Sequence, residues 1–209
     1  MGASQESSTS PAATTLKPIA PGKFAHIVYK THQFEMMLDW YVSVFNARVQ
    51  HRDERLAFLT YDDEHHRFAF INLGPATEER PRREDDAGVH HVAYTWKNLD
   101  ELVATYKRLK SLGIVPVRPI RHGLTLSMYY QDPDQNMMEF QIDLMDPDTA
   151  NAFMGGPAFS ANPIGERFDP DELATRFDAG KSVDDLIFRS DQKEHEGHSY
   201  VRIGANSGP

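Results

Sequence analysis

The sequence predicts an α+β fold in which two βαβββ modules pair into one curved, mixed β-sheet, a half-barrel, followed by a short helical C-terminal extension. Three observations predict it. The chain has 209 residues, 40% of them hydrophobic, enough for one ordinary core and too short for several. It repeats itself at an offset of 65 residues. Within each repeat the hydrophobic pattern is that of a strand, then a helix, then three short strands.

Taken in order, Gly2 to Thr15 are almost entirely Ser, Thr, Ala, Gln, Glu and Gly, which bury too little to offset the entropy of ordering. Residues 1–20 therefore read as a disordered tail. That stretch has no apolar run of a secretory signal, and Glu6 stands where a myristoylation motif needs Ser or Thr, so a cytoplasmic location is expected. The domain is expected over 21–146, with modules at about 23–75 and 87–143. Lys23-Phe-Ala-His26-Ile-Val-Tyr29 falls on Gly88-Val-His-His91-Val-Ala-Tyr94, two matched strands. The same offset lays Phe34 on Leu99, Leu38 on Val103, Tyr41 on Tyr106, Val44 on Leu109 and Val49 on Ile114, apolar pairs spaced as one helix face requires. Three β runs follow each helix: around Val49, Arg55 to Tyr61 and Phe68 to Leu73, then Val117 to Ile120, Leu124 to Tyr130 and Met137 to Ile142.

Beyond Asp143 the pattern changes. Residues 147–190 are expected to carry short helices. Asp169-Pro170-Asp171-Glu172 supplies a cap, a first-turn proline and acids at the positive end of a helix that closes before Gly180, and Ser182 caps another turn. This extension would cover the domain or a neighbouring subunit, which allows a homo-oligomer. Residues 191–209 read as a polar tail.

Composition excludes several functions. Lys+Arg 22 against Asp+Glu 31 leaves a net charge of -9, which repels a phosphate backbone, so no nucleic acid is expected. A mean hydropathy of -0.56 and the lack of an apolar run of about 20 residues argue against a membrane span. Zero cysteines remove disulfides, iron–sulfur clusters, thiolate zinc and a cysteine nucleophile, so any metal must sit on nitrogen and oxygen.

The repeat also selects residues for chemistry. Of the adjacent His90 and His91, only one can share a face with the first module's histidine, and the offset makes it His91, the counterpart of His26. His90 is expected to point away. Asp132-Pro-Asp-Gln-Asn136 reads as a hairpin turn that sets Tyr129 opposite Glu139. On period two, Thr125, Ser127, Tyr129, Met137, Glu139 and Gln141 face a cleft, while Leu126, Met128, Tyr130, Met138, Phe140 and Ile142 face the helices. Two imidazoles and a carboxylate, His26, His91 and Glu139, are the ligand set of the facial triad that binds non-haem Fe(II) and leaves positions open. At the offset of 65, Glu139 falls on Gly74, and Ile71-Asn72-Leu73-Gly74 offers no fourth carboxylate.

The paired modules with His26, His91 and Glu139 resemble the vicinal oxygen chelate superfamily, which includes glyoxalase I, methylmalonyl-CoA epimerase and antibiotic-sequestering proteins. The second module resembles a type I extradiol catechol dioxygenase of the single-domain kind. The resembling residues are His90-His-Val-Ala-Tyr-Thr-Trp96, Pro119-Ile-Arg-His-Gly-Leu-Thr125 and Met128-Tyr-Tyr-Gln-Asp-Pro-Asp-Gln-Asn-Met-Met-Glu-Phe140, with His65-His-Arg-Phe-Ala-Phe70 upstream. The resemblance covers roughly Lys23 to Asp143. It implies an Fe(II)-dependent ring-cleaving dioxygenase acting on a small aromatic diol with O2, with Mn(II) acceptable to the same ligands. By the same resemblance His66 is the acid–base group, Tyr129 donates a hydrogen bond to the substrate oxygen, and His122 holds the neighbouring oxygen or Tyr129. A glyoxalase- or epimerase-type lyase or isomerase, and a metal-free protein that sequesters an aromatic compound, are the alternatives. His51, His65, His195 and His198 are expected to be solvent-exposed, and Trp40, Trp96, Phe153 and Phe159 are candidates for an aromatic pocket.

Overall fold

A computed structural model describes residues 19–76 and 87–187. The expected tails, with His195 and His198, lie in whole or in large part outside the described residues.

The first module is β1 (Ile27–Thr31), α1 (Phe34–Phe45), β2 (Arg48–Arg52), β3 (Leu56–Thr60) and β4 (Phe68–Asn72). The second is β5 (His91–Thr95), α2 (Leu99–Ser111), β6 (Arg118–Arg121), β7 (Thr125–Gln131) and β8 (Met137–Asp143). Each half is the βαβββ unit expected. The strands form two hydrogen-bonded sheets, β1-β4-β3-β2 and β5-β8-β7-β6 with a further edge strand, so the half-barrel expected as one sheet is divided between the modules. In both, the first and last strands run parallel and the hairpins are antiparallel.

Asn98 caps α2 by accepting from the Glu101 amide, with Asp100 and Glu101 in the first turn and Arg108 and Lys110 in the last, each sign matched to the helix dipole. Gln33 precedes α1 without a side-chain cap, and Asn46 ends it in the left-handed conformation. Phe34, Leu38, Tyr41 and Val44, and their repeat partners Leu99, Val103, Tyr106 and Leu109, are all buried in one core. The last matched pair departs from the helix face: Val49 lies exposed in β2 and Ile114 follows the end of α2.

That single core joins the modules. The ring of Phe45 packs 4.7 Å from Tyr94 and 5.2 Å from Phe140, centroid to centroid. Arg108 donates to the carbonyls of Ser43 and Val44 at the end of α1. On the other flank Tyr41 donates to Asp132 at 3.1 Å, and the Gln33 amide donates to Asp134 and to the Pro133 carbonyl. The Asp132–Asn136 turn is thus an anchor between modules as well as a hairpin connection. Asp132, also bonded to the Asn136 backbone and side chain, is buried, and that burial pushes its carboxyl up to about 6.

The extension comprises α3 (Pro147–Met154), α4 (Pro157–Ala161), β9 (Glu166–Arg167), α5 (Pro170–Asp178) and α6 (Val183–Ile187). Asp146 and Asp169 cap α3 and α5, and Ser182 accepts from the Asp185 amide at the start of α6. The β9 pairing with β6 was not signalled by the sequence. Gly165 makes it feasible: at φ +85, a Cβ there would sit 2.0 Å from the Arg121 carbonyl oxygen. On α5, Leu173 and Ala174 are buried, while Tyr106 donates to Asp171 and Lys110 pairs with the same carboxylate. The extension therefore covers its own domain. Among the described residues no helix is long and apolar enough to cross a membrane.

Candidate metal centre

Pleat and register build this site. In the β7–β8 hairpin Tyr129 lies opposite Glu139, and β8 runs parallel to β5 with Glu139 beside Ala93, two residues beyond His91. Alternation then places His91, Ala93, Glu139 and Tyr129 on one face. The opposite face, Leu126, Met128, Tyr130, Met138, Phe140 and Ile142, is wholly buried against the helices, as its apolar pattern requires.

Glu139 is only 5% exposed. Its Oε2 lies 3.0 Å from His91 Nε2, and its Oε1 lies 3.6 Å from His122 Nε2. That same His122 nitrogen shares a 2.9 Å hydrogen bond with the Tyr129 hydroxyl. Burial, then the neighbouring Glu139 carboxylate, raises the Tyr129 phenol well above its ordinary value, so it stays a hydrogen-bond donor. His122 is positioned by its own backbone, whose amide donates to the Thr125 carbonyl across the β6–β7 turn. Gly123 completes that turn at φ +89, with the Phe153 ring against it. Below Tyr129, Thr125 and Ser127 satisfy each other at 3.1 Å.

The first module contributes a second group. His26, just before β1, packs its ring 4.3 Å from His66, and His66 packs 4.8 Å from Phe58. Burial, then the nearby His26 and His65, lowers the His66 imidazole below its usual value, against the opposing pull of Glu64. Val28, Ala69 and Phe58 lie abreast across β1, β4 and β3, continuing an apolar surface from this histidine pair.

The structure thus brings His91, Glu139, His122 and Tyr129 together, and His26 with His66. Among the described residues no three His, Asp or Glu side chains form a group able to hold a metal ion. The donor chemistry fits a metal nevertheless: a carboxylate oxygen beside an imidazole Nε2 is the nitrogen and oxygen donor pair that a divalent ion such as Fe(II) accepts.

Register also relocates the comparison between modules. Val28 and Ala93 are repeat partners, and they pair with Ala69 and Glu139 respectively. The structural counterpart of Glu139 is therefore Ala69, not Gly74, chiefly because the connection from helix to next strand is longer in the second module, residues 112–117 against residues 46–47. Either position lacks a carboxylate.

Other side chains singled out in the sequence are placed as follows. His90, expected to point away, sets its Nδ1 2.6 Å from that of His91. Trp40 packs on Tyr41 at 5.0 Å and Trp96 on Phe140 at 4.4 Å, which makes both part of the core edge. Phe153 and Phe159 pack on each other at 5.8 Å in the extension. His51 is exposed beside Asp53. His65 is exposed as expected, yet its ring meets His66.

A fold of two βαβββ modules, with histidines at the matched first strands and a carboxylate on the last, defines a class, and comparison with known families agrees. Residues 23–140 match the family model described as the Glyoxalase/Bleomycin resistance protein/Dioxygenase superfamily, and the chain belongs to that superfamily. Within it, the chain is 48% identical over 166 residues to a Rhodococcus globerulus protein named biphenyl-2,3-diol 1,2-dioxygenase 2, covering 79% of this chain and 86% of the relative. It is 38% identical over 170 residues to biphenyl-2,3-diol 1,2-dioxygenase 3 of the same organism, covering 80% and 88%. Among solved structures, the fosfomycin resistance protein FosX from Mesorhizobium loti matches with a TM-score of 0.44 and 20% identity over 59% of this chain and 93% of that one.

Proposed function

We propose that this protein is an Fe(II)-dependent extradiol dioxygenase that cleaves the ring of a catechol-type aromatic diol with O2, His26, His91 and Glu139 holding the metal. The observation that carries the reading is the contact of buried Glu139 with His91 at 3.0 Å, flanked by the Tyr129–His122 hydrogen bond. The names of the two Rhodococcus globerulus relatives support it. When bound, Fe(II), or Mn(II) on the same ligands, would supply a redox-active Lewis acid with open positions for an aromatic diol and dioxygen.

The chain's own residues supply the rest. Tyr129, held protonated, donates a hydrogen bond to a substrate oxygen, and His122 fixes the direction of its hydroxyl. His66, packed against His26 and Phe58, accepts and returns the substrate proton. Val28, Phe58 and Ala69 receive the apolar part of the aromatic ring. His26, just before the strand matched to β5, supplies the third ligand. A lyase or isomerase that surrounds its metal with four side chains is disfavoured, since Ala69 stands where a second carboxylate would be.

Anaerobically prepared protein is expected to hold about one Fe(II) per chain and to consume oxygen with a catechol panel, while Glu139→Ala loses the iron. Iron retained in full by Glu139→Ala, measured by colorimetric iron assay, would overturn the ligand assignment.

A further inference from the structure

His65 has no part in the roles above. It follows Glu64 and precedes His66, and its side chain is 70% exposed. Exposure of an imidazole in a loop is ordinary, but its contacts here run in a chain. The Glu64 Oε1 lies 3.4 Å from His65 Nε2, and His65 Nδ1 lies 2.5 Å from His66 Nδ1. Behind Glu64 stands Lys23, which binds its other oxygen and holds the carboxyl in its charged form. The far side of His66 meets His26 and Phe58.

These contacts decide which nitrogens carry protons. A carboxylate near His65 Nε2 favours the proton on that nitrogen and leaves Nδ1 with its lone pair. Two ring nitrogens 2.5 Å apart must share one proton, so His66 donates from Nδ1–H and His65 accepts. The His66 Nε2 is then left as a bare lone pair. A neutral imidazole free to choose would populate both tautomers and only part of the molecules would present a base at Nε2.

We infer that His65, oriented by Glu64, is a positioning residue that locks His66 in its Nδ1–H tautomer and so presents Nε2 as the proton acceptor. This rests on the acid–base role of His66 proposed above. The same ring nitrogen also fixes the plane of His66, which keeps its stacking on His26 and Phe58 in one arrangement. Because His65 is exposed, its replacement leaves the core intact.

The test uses side-chain geometry. Asparagine places its Oδ1 where the histidine Nδ1 was, whereas glutamine places an acceptor nearer the former Nε2. In long-range ¹H–¹⁵N spectra of the full chain loaded with Zn(II), His66 should show the Nδ1–H tautomer in the parent and in His65→Asn. In His65→Leu and His65→Gln it should become a mixture. With a cleaved catechol, kcat should fall about 10-fold in His65→Leu and His65→Gln at unchanged KM, and recover in His65→Asn. An Nε2–H tautomer of His66 in the parent, or a spectrum unaffected by His65→Leu, overturns the inference. A parent that cleaves no catechol yet shows the tautomer pattern refutes the dioxygenase reading and leaves the lock standing.

Discussion

Glu139 and Tyr129 show how far single residues can be read. Their juxtaposition follows from counting outward from the Asp132–Asn136 turn, and the hairpin register matches that count. His91 follows from the repeat, and its contact with Glu139 follows from the parallel β5–β8 pairing, which brings the two to one face. The linkage of His65 to His66 was not legible, because a contact between neighbouring rings depends on rotamers that no spacing rule encodes. His66→Ala is expected to retain metal and to lower kcat roughly 10²-fold, the usual worth of a positioned acid–base group, as read by oxygen uptake beside iron content. Wild-type turnover in that variant would make His66 a packing residue of the first sheet.

Among the elements, helices were the clearest in the sequence, since the eight apolar positions of α1 and α2 repeat at helical spacing and all are buried. Strand register was less clear. An offset of 65 describes the first strands and helices but drifts to 70 at β4 and β8, where Ala69 takes the place of Glu139. Insertions in loops change spacing without changing which face a residue presents, so the absence of a second carboxylate was read correctly from the wrong position. The two-residue strand β9 carries no periodic signal, and its pairing depends on the close approach of Gly165 to Arg121. Gly165→Ala introduces both a left-handed penalty and a backbone overlap. It should destabilise the protein by about 2 kcal/mol in urea unfolding and raise amide exchange in β6 and β9, whereas parent-like exchange there would place the β9 contact outside the stabilising framework.

At the scale of the whole molecule, the modules are held by a shared aromatic core and by the buried Asp132 anchor. Asp132 titrates at about 6 in the fold, above its value in an unfolded chain. The unfolded state therefore loses this proton first as pH rises, and the folded state binds more protons across the interval. The contribution of Asp132 is fully present below about pH 4 and is lost as pH rises through about 6, a change of about 3 kcal/mol. Asp132→Asn has no such titration, so its stability relative to the parent should improve by that amount between about pH 4 and pH 8, measured by urea midpoints. A difference constant with pH would mean the carboxyl is ionised in the fold at no cost.

The repeat, the order of elements, the inward and outward faces of β7 and β8 and the choice of His91 over His90 as the counterpart of His26 were all determined by local sequence. Periodicity and turn chemistry act over a few residues, and the chain records them directly. What only the tertiary structure decided is how two similar modules meet: the divided sheet, the anchoring of Asp132 to Tyr41, the exchange of Gly74 for Ala69 and the chain from Glu64 to His66. Those depend on loop lengths, side-chain rotamers and long-range packing, which are set when the modules close on a common core and no longer by the spacing of residues along the chain.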